Sequence, residues 1–127
     1  MTLKKHIKKL KTKYVIHKIQ QTKIPYFEPS PLIRQRIIFI GKVQKVGFRL
    51  EIDELARRLG LAGYARNKKR NSNKYEDKVE LEIQGEEKKI DFLVENMTKL
   101  KRAKVIKVEK TKLEVMKGAS GFSIVKG

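Results

Sequence analysis

From residue 36 onward the apolar positions of the chain change period several times, and each change marks an element. Ile37, Ile38, Phe39, Ile40 and Val43 form a run apolar on both faces, the pattern of a central strand covered on one side and flanked by neighbours. From Phe48 the spacing becomes helical. Phe48, Ile52, Leu55, Ala56 and Leu59 make one stripe, with Glu51, Asp53 and Glu54 in the first turns and Arg57 and Arg58 in the last, as the helix dipole favours. Gly60 is expected to stop this helix. A short strand is predicted from Ala62 to Arg66, followed by a polar stretch from Asn67 to Asp77. Val79, Leu81 and Ile83 then alternate with Glu80, Glu82 and Gln84, predicting a half-buried strand with one wet face that breaks at Gly85. Ile90, Leu93, Met97 and Leu100 mark a second amphipathic helix, with Lys99, Lys101 and Arg102 at its end. Val105, Ile106 and Val108, then Leu113 and Val115, change parity, which predicts a bulge or bend. A Gly-Ala-Ser-Gly turn leads to a final short strand at Phe122 and Ile124.

Strand, helix, strand, strand, helix, strand is the order of an α+β domain with two helices on one face of a mostly antiparallel sheet. The expected fold is therefore a ferredoxin-like α/β sandwich, βαββαβ, with one extra short strand. That architecture hosts many unrelated functions, so function must come from particular residues.

The first third of the chain reads differently. Leu3, Ile7, Leu10 and Tyr14 recur at helical spacing with lysines between them, which fits an amphipathic helix or a solvated basic arm that orders only against a partner. Pro25, Pro29 and Pro31, all the prolines of the protein, end any helix there and read as an extended linker. The expected division is a basic arm and linker at 1–34 and a compact domain at 35–127.

Charge sharpens that division. The 127 residues carry 32 Lys and Arg against 14 Asp and Glu, a formal net charge of +18. The arm and linker hold nine of these cations and a single Glu, so nearly half of the excess lies in about a quarter of the length. A footprint of this kind raises nucleic acid as a partner, although the arm has few aromatics and the strands lack an RNA-recognition signature. There is no Cys, which excludes disulfides, zinc-thiolate sites and a thiol nucleophile. Both histidines, His6 and His17, fall in the arm, leaving the domain to work with Arg, Lys, Asn, carboxylates, hydroxyls and backbone groups. No stretch approaches the roughly 20 apolar residues of a membrane span, and a cytoplasmic protein is expected.

The segment Gly41-Lys42-Val43-Gln44-Lys45-Val46-Gly47-Phe48-Arg49 carries the candidate chemistry. A glycine-flanked turn running into a helix N-terminus offers unpaired N–H groups and the positive end of the dipole, and Arg49 adds a planar fork for phosphate oxygens. Lacking Lys-Ser/Thr after its second Gly, the turn is no nucleotide-binding P-loop. For Asn67, the residue alone reads as a turn position ending a strand rather than as a catalytic group.

This segment resembles the acylphosphatase signature Gly-x-Val-Gln-Gly-Val-x-Phe-Arg. The similarity continues through Gly63-Tyr64-Ala65-Arg66-Asn67, Val79 to Gly85 and Gly121 to Ile124, covering roughly residues 36 to 126. The resemblance implies hydrolysis of the carboxyl-phosphate bond of small acyl phosphates to a carboxylate and inorganic phosphate, without metal or cofactor. It also implies that Arg49 binds the phosphoryl group, that the backbone amides of Gln44, Lys45, Val46, Gly47 and Phe48 cradle its oxygens, and that Asn67 orients the attacking water. Two features depart from the family pattern. Lys45 stands where the family has glycine, which either distorts the cradle, leaving a catalytically impaired domain, or adds attraction for a dianion. The stretch from Lys68 to Asp77 is longer than the family's hairpin and carries Lys68, Lys69, Arg70 and Lys74.

Overall fold

The computed structural model describes residues 22–69 and 76–126. The basic arm up to residue 21 and the middle of the polar stretch, 70–75, lie outside the described residues. Seven elements follow in chain order: β1 (Leu32–Lys42), α1 (Phe48–Arg58), β2 (Ala62–Asn67), β3 (Asp77–Glu86), α2 (Glu87–Thr98), β4 (Lys104–Leu113) and β5 (Phe122–Val125). They build a five-stranded sheet in the order β4-β1-β3-β2-β5, antiparallel except for the β2–β5 pair. The ferredoxin-like arrangement expected from the sequence is what forms.

Period two in the strands and a stripe on each helix decide the packing. Ile37 and Phe39 of β1, Val79, Leu81 and Ile83 of β3 and Ala65 of β2 project to one face of the sheet and are fully buried. Ile52, Leu55 and Ala56 of α1 and Ile90, Leu93 and Met97 of α2 close over them. Fully burying a side chain of this kind contributes about 1.5–3 kcal/mol, so these residues dominate the energetics of the fold. Gly60 ends α1 as expected: the Gly60 amide donates to the Arg57 carbonyl at 3.2 Å and the Leu61 amide to the Ala56 carbonyl at 2.9 Å, a paired C-terminal cap.

Three sequence expectations need correction. β3 does not break at Gly85. It runs on to Glu86, with Gly85 opposite Ile33 and the Leu61 side chain packed onto the glycine backbone, where a Cβ would collide with it. The wet face of β3 is also drier than alternation suggests, because Glu80 and Gln84 are buried beneath arginines. Arg66 Nη2 lies 2.7 Å from Glu80, Arg36 bridges Glu80 and Glu82 at 3.3 Å, and Arg34 reaches Glu82 at 3.1 Å. Finally, no bulge falls between Val108 and Leu113, since β4 pairs with β1 in continuous register from Lys107 to Leu113. The shift comes earlier, between Ile40 and Gly41, leaving Ile106 unmatched. β4 is an edge strand with most side chains exposed, so burial does not impose strict parity on it.

The proline-rich residues before β1 pack on the domain. Phe27 meets Phe92 edge to face with centroids 5.4 Å apart. Ser30 and Pro31 serve the first turn of α2: Ser30 Oγ accepts from the Lys88 amide at 3.1 Å, and the Pro31 carbonyl accepts from Glu87 at 2.9 Å.

Candidate active site

β1 delivers the chain to the loop 43–47, and α1 carries it away. Phe48, almost fully buried, packs edge to face on Phe39 with centroids 5.1 Å apart, which fixes where the helix starts and hence where Arg49 stands. Gly47 is the N-cap, left-handed at φ 75° and ψ 18°, with no side-chain cap. Lys45 is also left-handed, at φ 64°. A lysine thus holds a left-handed backbone at the position where the resembled signature has glycine, against a cost of roughly 1–2 kcal/mol.

Three side chains, two from outside and one of its own, clamp the loop. Asp77, buried at the start of β3, accepts with one carboxylate oxygen from the Val43 amide at 2.8 Å and the Gln44 amide at 3.0 Å. The Gln44 side chain donates from Nε2 to the carbonyls of Lys68 and Lys78, both at 2.9 Å, and so ties the loop to the ends of β2 and β3. On the far side, Arg102 donates from Nε to the Val46 carbonyl at 3.0 Å and pairs with Glu51 of α1.

This clamping separates occupied amides from free ones. Val43 and Gln44 give theirs to Asp77, while Glu51 donates to Gly47 at 3.0 Å as the first bond of α1. The amides of Lys45, Val46, Gly47, Phe48 and Arg49 have no acceptor among the described residues. Left-handed residues interleaved with others turn successive N–H groups into a concavity, and the helix dipole adds positive potential there. The sequence placed Gln44 in this cradle. Here its amide is engaged by Asp77, and its side chain holds the loop.

Arg49 is half-buried and makes no hydrogen bond or ion pair among the described residues, so its five donors remain available. Asn67 closes β2, paired with Val79, which neighbours Phe39 in turn. It is two residues past the buried Ala65 and shares its face, the face that Phe48 covers. Two strand spacings put Asn67 about 10 Å from Phe39. Its Oδ1 is buried without a hydrogen-bond partner among the described residues, an arrangement that costs about 1–3 kcal/mol unless a water or ligand satisfies it. The structure thus brings Arg49, the free amides and Asn67 to one end of the sheet. The sequence had not pointed to Asp77 or Arg102, which lie more than thirty and more than fifty residues from the loop.

A family model for acylphosphatases matches residues 35–124, most of the chain and all of this site. The chain belongs to the acylphosphatase family. Members of that family are hydrolases of acyl phosphates. A curated acylphosphatase of Bifidobacterium longum (strain NCC 2705) is 42% identical over 70 residues, 55% of this chain and 66% of that protein. The crystal structure of acylphosphatase from Bacillus subtilis superposes with a TM-score of 0.62 at 32% identity, covering 75% of this chain and 99% of its own. An acylphosphatase structure from Coxiella burnetii gives 0.61 at 26% identity, covering 74% and 93%. Outside the acylphosphatase match lie the basic arm, the whole proline-rich segment and the last three residues. No group of three or more His, Cys, Asp or Glu suited to a metal ion occurs among the described residues, and no helix among them is long and apolar enough to cross a membrane.

Proposed function

We propose that the chain hydrolyses small acyl phosphates, with the free amides of Lys45 to Arg49 and the Arg49 guanidinium holding the phosphoryl oxygens. The attacking water, hydrogen-bonded to Asn67, adds to phosphorus as the bond to the acyl oxygen breaks. The carboxylate leaves, and the water's proton passes to an oxygen of the substrate's own phosphate. No side-chain base is required. Such a transition state spreads charge over equatorial oxygens, and fixed donors already in place stabilise it without reorganisation. The observation that carries this reading is a run of unengaged amides at a helix N-terminus beside an unpaired arginine, in a chain of this family.

The left-handed turn at Lys45, which joins Gly47 in curling the free amides inward, favours a competent cradle over an impaired one. The same reading takes inorganic phosphate as product and the cytoplasm as location. A nucleic acid bound through the basic arm is a separate function, tested by salt-sensitive RNA or DNA affinity. Hydrolysis of acetyl or benzoyl phosphate, competitively inhibited by inorganic phosphate, is the expected result. No turnover in the unmodified protein overturns the proposal.

A further inference from the structure

Lys45 holds a backbone conformation that a residue with a Cβ resists, in the middle of the cradle. Strain of this kind gathers at ligand-holding sites. Its side chain is exposed and forms no ion pair among the described residues. Further exposed lysines without ion pairs stand at the same end of the sheet. Lys42 and Lys104 are paired residues of β1 and β4. Lys68 follows Asn67, and its carbonyl is held by Gln44, the neighbour of Lys45. Carboxylates do little to cancel them: Asp77 is turned to the Val43 and Gln44 amides, Glu51 is paired with Arg102, and only half-buried Glu76 remains in this part of the described chain. A single phosphoryl group is already served by five amides and Arg49, so the ammonium groups are surplus to its recognition.

We propose that Lys45 is a specificity residue, favouring acyl phosphates whose acyl part carries its own negative charge, with Lys42, Lys68 and Lys104 extending the same field. This rests on the hydrolase reading and names the substrate class of that site. An anionic acyl group gains from a nearby ammonium what a neutral one does not, and the gain weakens with salt.

The test compares kcat/KM at low salt for acetyl phosphate, succinyl phosphate and an acyl phosphate ending in a phosphate monoester. A preference of about tenfold for either charged substrate is expected, equivalent to a single well-placed charge pair. It should fall towards unity in Lys45→Gln and at high salt, persist in Lys45→Arg, and fall only partly in Lys104→Gln. Equal rates on neutral and charged substrates, or a preference unchanged in Lys45→Gln, overturn the inference and leave the hydrolase reading standing. Absence of turnover on every substrate overturns both.

Discussion

Asp77 offers the most direct test of how the loop is held. Replacing it with alanine removes one buried oxygen that receives two amides, from Val43 at 2.8 Å and Gln44 at 3.0 Å. Hydrogen bonds to a charged group contribute about 1.5–3 kcal/mol each. Because both bonds end on the same oxygen and Gln44 is only half-buried, water recovers part of the loss. We expect Asp77→Ala to cost about 2–4 kcal/mol and Asp77→Asn, which keeps an acceptor but not the charge, about 1 kcal/mol. For a domain of this size that is a fall in Tm of roughly 10–20 °C for alanine. Urea unfolding should show a lower midpoint at unchanged slope. Once Val43 and Gln44 are untethered, the amides after them lose their fixed direction, so kcat/KM should also drop at temperatures where the variant is folded. An alanine variant within about 0.5 kcal/mol of the parent, the range of ordinary surface changes, would refute the anchoring argument. A destabilised variant with full kcat/KM would refute its link to the cradle.

Arg49→Ala and Asn67→Ala should each keep the fold, seen as little change in Tm, and lower kcat by about 10²–10³, the usual effect of losing one transition-state donor. Lys45→Gly should raise stability in urea by about 0.5–1 kcal/mol, since glycine carries no penalty in the left-handed region. Deleting residues 1–21 should leave hydrolysis intact, whereas deleting 1–31 removes Phe27 from Phe92 and both caps of α2, and should lower Tm measurably. Glu86 sits below the usual carboxylate range, first because Lys89 hydrogen-bonds it and then because the Ser30 amide does. Its folded pKa is depressed, so its contribution is present above the unfolded value near pH 4.5 and is lost as pH falls through the folded one. Tm measured against pH should therefore show the gap between the parent and Glu86→Gln closing in acid.

The helices, the central strand and the order of elements were legible because each depends on local apolar spacing that the sheet and helices then bury. Ile37, Phe39, Ile52, Leu55, Ile90, Leu93 and Met97 all point where their spacing says. Gly85 misled because a glycine signals either a break or a close approach, and the nearby Leu61 side chain that decides between them is not adjacent in sequence. Glu80 and Gln84 misled for a related reason: arginines from two neighbouring strands bury them, and Gln84 also exchanges two bonds with the Met116 backbone at 2.8 and 3.0 Å. Within the candidate site, the loop and Arg49 form one contiguous segment, so family resemblance reached them. Asp77 and Arg102 had no local signal, because each acts on the loop only once the fold brings the start of β3 and the turn after α2 to its side.

The outer edge of the sheet gives part of the positive charge a role unrelated to phosphate. Among the described residues β4 has no strand on its outer flank over ten residues, with exposed Lys104, Lys107, Lys110 and Lys112 spaced along it. A second copy trying to add its own β4 there would bring lysine against lysine, which opposes edge-to-edge aggregation. At the opposite flank β5 is only four residues long, too short to be a good template. Lysines along this edge thus oppose strand-to-strand pairing of copies, whatever the site binds.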